Sequence, residues 1–128
     1  MATPKRVLVV DDEPSVAQVI VDALADEGYE VRWAANGREA LAALGAWLPD
    51  LIVLDLMMPV MDGRAFRAAQ RCLSGAAAQV PVLVLSGMRE ARATAEALNA
   101  AAVLTKPFDL DDLVATVGRL LKVMSDES

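Results

Sequence analysis

The chain has 128 residues, 55% of them hydrophobic, with 12 basic against 18 acidic side chains and a net charge of −6. That length suits one domain with a buried core, and the acidic balance argues against a nucleic-acid surface, which needs clustered Lys and Arg. The sequence holds no histidine, which removes Ser-His-Asp catalysis, Cys-His catalysis and His-bound metals together.

The single cysteine, Cys72, has no partner for an internal disulfide, which fits a reducing compartment. No apolar run reaches the roughly 18 residues of a membrane span. The start, "MATPKRVLVVDDE", has too short an apolar core for a signal peptide and runs straight into acid. A cytoplasmic protein without a membrane segment is expected.

In chain order, residues 7–10 read as a first strand. A helix opens at Pro14, carries Val16, Val19, Ile20, Ala23 and Leu24 at i, i+3, i+4, i+7, i+8 spacing, and stops near Gly28. Residues 30–34 alternate in polarity, as an edge strand does. The second helix starts at Asn36, with Glu39 placed for a capping pair, and ends before Pro49. Residues 51–54 form a continuous apolar strand, followed by a helix over 63–73. Residues 82–85 are the fourth strand, and a helix over 89–98 follows, with Asn99 suited to a left-handed stop. Residues 103–104 are the fifth strand. A last helix from Asp109 carries Leu113, Val114, Val117, Leu120 and Leu121.

Continuous apolar strands are covered on both faces, and strict βα alternation produces a parallel sheet flanked by helices. The domain is expected over 1–124, with a polar, frayed tail at 125–128.

The polar residues fall where the strands end. Asp11 and Asp12 follow the first strand, Asp55 the third, Ser86 the fourth and Lys106-Pro107 the fifth. Each alone has a plainer reading. Acids favour a helix start, Asp55 and Asp62-Gly63 suit turns, Ser86-Gly87 suits a loop, and a lone lysine is usually a solvated charge. Open parallel sheets, however, bind ligands outside the carboxyl ends of their strands, so the fold would gather all of these residues. Three carboxylates on one rim repel one another and call for a cation. Carboxylates, water and a backbone carbonyl suit Mg2+. A carboxylate can also attack phosphorus, with a metal, a lysine and a hydroxyl neutralising the phosphoryl oxygens. Asp55, alone on the middle strand, is the best nucleophile.

"VLVVDDEP", "LIVLDLMMPVMDG", "VPVLVLSG" and "VLTKPF", in this order, resemble a response-regulator receiver domain, the phosphoacceptor half of two-component signalling. The resemblance spans essentially the whole chain. It implies an α/β, flavodoxin-like (βα)5 three-layer sandwich with a five-stranded parallel sheet in the order 2-1-3-4-5. It implies that Asp55 is phosphorylated. Asp11, Asp12, Asp55 and the backbone carbonyl of Met57 would hold Mg2+. Ser86 would bind a phosphoryl oxygen, and Lys106, aimed by a cis Lys106-Pro107 bond, would pair with the phosphate.

The implied donor is a histidine kinase or a histidine phosphotransfer protein, and the implied output is an effector docked on the helix 4 to helix 5 face. The resemblance leaves room for a phosphorylation-dependent dimer. The charge balance and the short apolar runs point to no nucleic-acid or membrane contact by this domain, and the resemblance implies no catalysis beyond its own phosphorylation and slow dephosphorylation. One position departs from the family: Val103 stands where receivers commonly carry an aromatic switch residue. Met57 and Met88, two residues past Asp55 and Ser86, orient water poorly, so slow loss of the phosphoryl group is expected. Two other readings compete. One is a Mg2+-dependent phosphatase working through an aspartyl phosphate, which would want a second acid at Met57. The other is a phosphorylation-independent interaction module.

Overall fold

The computed structural model describes residues 3–56, 58, 61–87 and 91–126, with the backbone alone at 91, 92, 95 and 123–126. The elements run β1 (Arg6–Val10), α1 (Pro14–Asp26), β2 (Glu30–Ala34), α2 (Gly37–Ala46), β3 (Leu51–Asp55), α3 (Gly63–Arg71), a 3-10 turn (Gly75–Gln79), β4 (Val82–Ser86), α4 (Ala91–Ala97), β5 (Ala102–Thr105) and α5 (Leu110–Asp126). The sheet order is β2-β1-β3-β4-β5, and every pairing is parallel. This is the flavodoxin-like arrangement expected from the βα alternation and the resemblance.

Side chains alternate across a strand, so each central strand feeds two cores. Leu8, Val10, Ile52, Leu54, Val82 and Val84 face α2 and α3 and close on Leu44, Trp47 and Phe66. Val7, Val9, Leu51, Val53, Leu83 and Leu85 face α1 and α5 and close on Ile20, Leu24, Leu113 and Val117. Burying one such side chain contributes about 1.5–3 kcal/mol relative to exposure. The continuous apolar runs exist because β1, β3 and β4 have helices on both faces.

The helix ends follow their local chemistry. Asn36 Oδ1 accepts from the Glu39 N–H at 2.9 Å, and Glu39 Oε1 accepts from the Ala35 N–H at 3.1 Å, so the expected capping pair forms. Asn99 adopts φ 53° just past α4, as expected. α5 continues to Asp126, two residues into the polar tail.

Three features differ from the sequence expectation. Val19 is 52% exposed, and the buried stripe of α1 is Ala17, Ile20 and Leu24. An apolar helix of this kind contains two overlapping stripes at helical spacing, and only docking against the sheet and α5 selects one. β5 is half-buried, with Thr105 exposed, because it is the second edge of the sheet. The run "GAAAQ" forms the 3-10 turn, entered through Gly75 at φ +74°. A conformation of that sign favours glycine.

Candidate functional site

β1 and β3 are neighbours, and β1 leads to β2 on one side while β3 leads towards β4 on the other. The order of strands therefore reverses between them, which opens a crevice at their carboxyl ends. Asp11 follows β1 and Asp55 is the last residue of β3. Carboxylate oxygens of Asp11, Asp12 and Asp55 all lie within 4.8 Å of one another. Lys106 Nζ reaches in from the loop after β5 and pairs with Asp55 Oδ2 at 3.2 Å. The Lys106 N–H donates to the Ser86 carbonyl at 2.8 Å, which ties that loop to the end of β4. The Lys106-Pro107 peptide is cis, as expected. Ser86 is fully buried and paired in register with Thr105. A cleft of about 690 Å3 opens over the site, lined by Asp12, Glu13, Val16, Asp55, Lys106, Pro107 and Phe108.

Among the described residues, three carboxylates share this rim with the Lys106 ammonium. Burial, first of all, raises the pKa of Asp11, and the charges of Asp55 and Asp12 push the same way. The Glu13 N–H, donating to Asp11 Oδ1 at 2.9 Å, and the Lys106 ammonium oppose the rise. Asp11 Oδ2 is buried and has no hydrogen-bond partner among the described residues. An orphaned, buried carboxylate oxygen beside two further carboxylates fits a hard, oxygen-liganded divalent cation. The described residues thus bring Asp11, Asp12, Asp55, Ser86 and Lys106 to one rim. Met57, the expected fourth metal ligand, and Met88 lie outside the described residues.

Gly63 packs against the backbone at the end of β3. A Cβ on Gly63 would stand 2.7 Å from Leu56 Cδ2, 2.8 Å from Leu56 Cα and 3.0 Å from the Asp55 carbonyl oxygen. The Gly63 N–H also donates to the Leu56 carbonyl at 3.1 Å. Asp62 caps α3, accepting from the Ala65 N–H at 2.9 Å. Asp62-Gly63 is therefore a helix cap with a tight backbone approach rather than a simple turn.

Sequence reasoning missed Trp33. This residue of β2 is 43% exposed, and its indole N–H donates to the Asp11 carbonyl at 2.7 Å. The Asp11 N–H donates to the Ala34 carbonyl at 3.1 Å. Together these bonds clamp the backbone that carries the two acids. No local signal announces a bond between residues 22 positions apart. Phe108 and Val16, which form the apolar side of the cleft, were likewise read only as a motif end and a core position.

The chain belongs to the response-regulator receiver family: the model described as "Response regulator receiver domain" matches residues 7–118. Such domains are the phosphoacceptor signalling modules of two-component systems. The chain is 42% identical over 122 residues to the transcriptional regulatory protein PrrA of Mycobacterium tuberculosis, covering 94% of this chain and 51% of PrrA. It is 36% identical over 127 residues to the regulatory protein AtoC of Escherichia coli, covering 98% of this chain and 27% of that protein. It thus spans about half or less of the length of these curated relatives. Among solved structures, the chemotaxis protein CheY4 of Vibrio cholerae superposes with a TM-score of 0.82 at 38% identity, over 91% of this chain and 98% of that one. A response regulator from Chloroflexus aurantiacus superposes with a TM-score of 0.86 at 34% identity, over 94% and 99% of the two chains. Among the described residues, no helix is long and apolar enough to cross a membrane.

Proposed function

We propose that Asp55 is the phosphoacceptor and that Asp11, Asp12 and Asp55 hold Mg2+. The observation that carries this reading is the Asp55 carboxylate, buried at the end of β3, paired with Lys106 at 3.2 Å and lying beneath an open cleft. A phosphohistidine on a histidine kinase or phosphotransfer protein enters the cleft. A carboxylate oxygen of Asp55 attacks phosphorus, the P–N bond breaks, and its electron pair leaves with the donor imidazole, which takes up a proton. Bound Mg2+ would neutralise phosphoryl oxygens as charge shifts onto them. Lys106 gives up its pairing with the unphosphorylated carboxylate and pairs with the phosphoryl group. The Ser86 hydroxyl donates to a phosphoryl oxygen, drawing in the carboxyl end of β4.

That movement passes the signal to the face made by α4, β5 and α5, where an effector docks. Val103, half-buried on β5 opposite Val84, leaves the transmission to backbone shifts rather than to an aromatic side chain. The domain performs no chemistry on other substrates, and its setting is cytoplasmic. The test is intact-mass spectrometry after incubation with acetyl phosphate and Mg2+. One phosphoryl group is expected on the parent and none on Asp55→Asn, since an amide is a far poorer nucleophile. Equal modification of the Asn variant would move the nucleophile elsewhere.

A further inference from the structure

A second polar cleft, of about 400 Å3, lies between the end of α3, the 3-10 turn and the turn from α4 into β5. Arg67 and Arg71, one turn apart on α3, both line it, with Gln79 and Asn99 beside them and no acidic side chain among the described residues. Arg67 is only 6% exposed. Its guanidinium donates to the Leu98 carbonyl at 3.0 Å, the Asn99 carbonyl at 3.1 Å, Gln70 Oε1 at 2.7 Å and the Val80 carbonyl at 3.3 Å. Every one of these acceptors is neutral. Among the described residues no carboxylate pairs with Arg67, and of its five N–H groups one on Nη2 is left over.

This is an unusual place for two cations in a chain of net charge −6. A buried charge is costly unless an opposite charge meets it. Burial, and then the charge of Arg71, lower the pKa of Arg67. A cation would be repelled from the cleft, and a neutral ligand would leave the charge unmet. We propose that this cleft binds a small oxyanion, a phosphate group in particular, between Arg67 and Arg71, with the amides of Gln79 and Asn99 as further donors. Guanidinium groups suit the task because their forked N–H groups match oxyanion geometry.

The site is separate from the Asp55 rim. The carbonyls that Arg67 holds precede β4 and β5 in the chain, whereas Asp55, Ser86 and Lys106 sit at or beyond the far ends of the strands. The sheet separates the two by roughly 15 Å, the length of a five-residue strand. Because the same guanidinium grips the turn after α4, an anion bound there bears on the position of that helix. The proposal stands whether or not Asp55 is the phosphoacceptor.

The test titrates inorganic phosphate into the full chain, free of Mg2+ with chelator present and at constant ionic strength, while following backbone amide resonances. In a second arm, phenyl phosphate replaces the inorganic ion. Saturable shifts are expected at residues 78–79 and 99–101. Arg71→Ala, an exposed change that leaves the fold intact, should weaken binding at least tenfold. Arg67→Lys, which keeps the charge but loses the fork, should weaken it as well. Equal binding in both arms assigns the phosphate group itself as the ligand, and tighter phenyl phosphate binding assigns a phosphorylated small molecule. Shifts confined to the neighbourhood of Lys106, non-saturable shifts, or undiminished binding by Arg71→Ala would overturn the proposal.

Discussion

Replacing Asp11 by Asn should stabilise the metal-free protein, although the rim it shares with Asp12 and Asp55 is suited to a cation. Its Oδ2 atom is buried without a partner among the described residues, and such an atom costs about 1–3 kcal/mol. Two more carboxylates lie within 4.8 Å. At an effective dielectric of 20, one such pair repels by roughly 3 kcal/mol, before Lys106 and solvent at the half-exposed Asp12 offset most of it. A net gain of about 1–3 kcal/mol corresponds to roughly 3–10 °C in Tm for a domain of this size. The sign with pH follows from the raised pKa. Because the folded-state pKa lies above the ordinary 3.8, the charged form is a cost above the raised value, and the cost is absent below the ordinary one. The advantage of the Asn variant should be full above the raised pKa and shrink as pH falls through it.

Mg2+ should narrow or close the gap. At tenfold over its Kd, a ligand of the folded state adds about 1.4 kcal/mol, so the parent should gain several degrees while Asp11→Asn and Asp12→Ala gain little. Thermal melts by circular dichroism, in chelator and in millimolar Mg2+, measure both effects. An Asn variant that melts at or below the parent in chelator, and still gains from Mg2+, would refute the reasoning.

Gly63→Ala should destabilise by about 1–3 kcal/mol, as overpacking does, because its Cβ meets the backbone of Leu56 at 2.8 Å. The urea midpoint reports it, and an unchanged midpoint would mean that the loop after Asp55 yields freely. Trp33 fluorescence should respond to Mg2+ through the bond to the Asp11 carbonyl. Trp33→Phe should abolish the response and Trp47→Phe should retain it, since Trp47 packs in the core against Arg6 and Arg32. Beryllium fluoride should alter amide exchange on the α4 to α5 face only modestly, given Val103, and large changes confined to α1 and α2 would contradict that placement.

The amino-acid sequence by itself determined the order and type of the elements and the rim on which the acids sit. Those features are local: a continuous apolar run of four residues, a proline at a helix start, Asn36 three residues before Glu39, a carboxylate directly after a strand. Once the strands are parallel, their carboxyl ends share one edge, so Asp11, Asp12, Asp55, Ser86 and Lys106 converge without further information. Tertiary structure alone decided which of two apolar stripes on α1 is buried and left Val19 in solvent. It also decided that β5 is an edge, since two apolar residues cannot show what lies beside them. Trp33 on the Asp11 carbonyl and Arg67 on the turn after α4 are of the same kind. In sequence, nothing sets Arg67 apart from Arg64 and Arg71 on the same helix. Only packing against the 3-10 turn and the end of α4 encloses that arginine, because burial depends on what the rest of the chain brings to the other side.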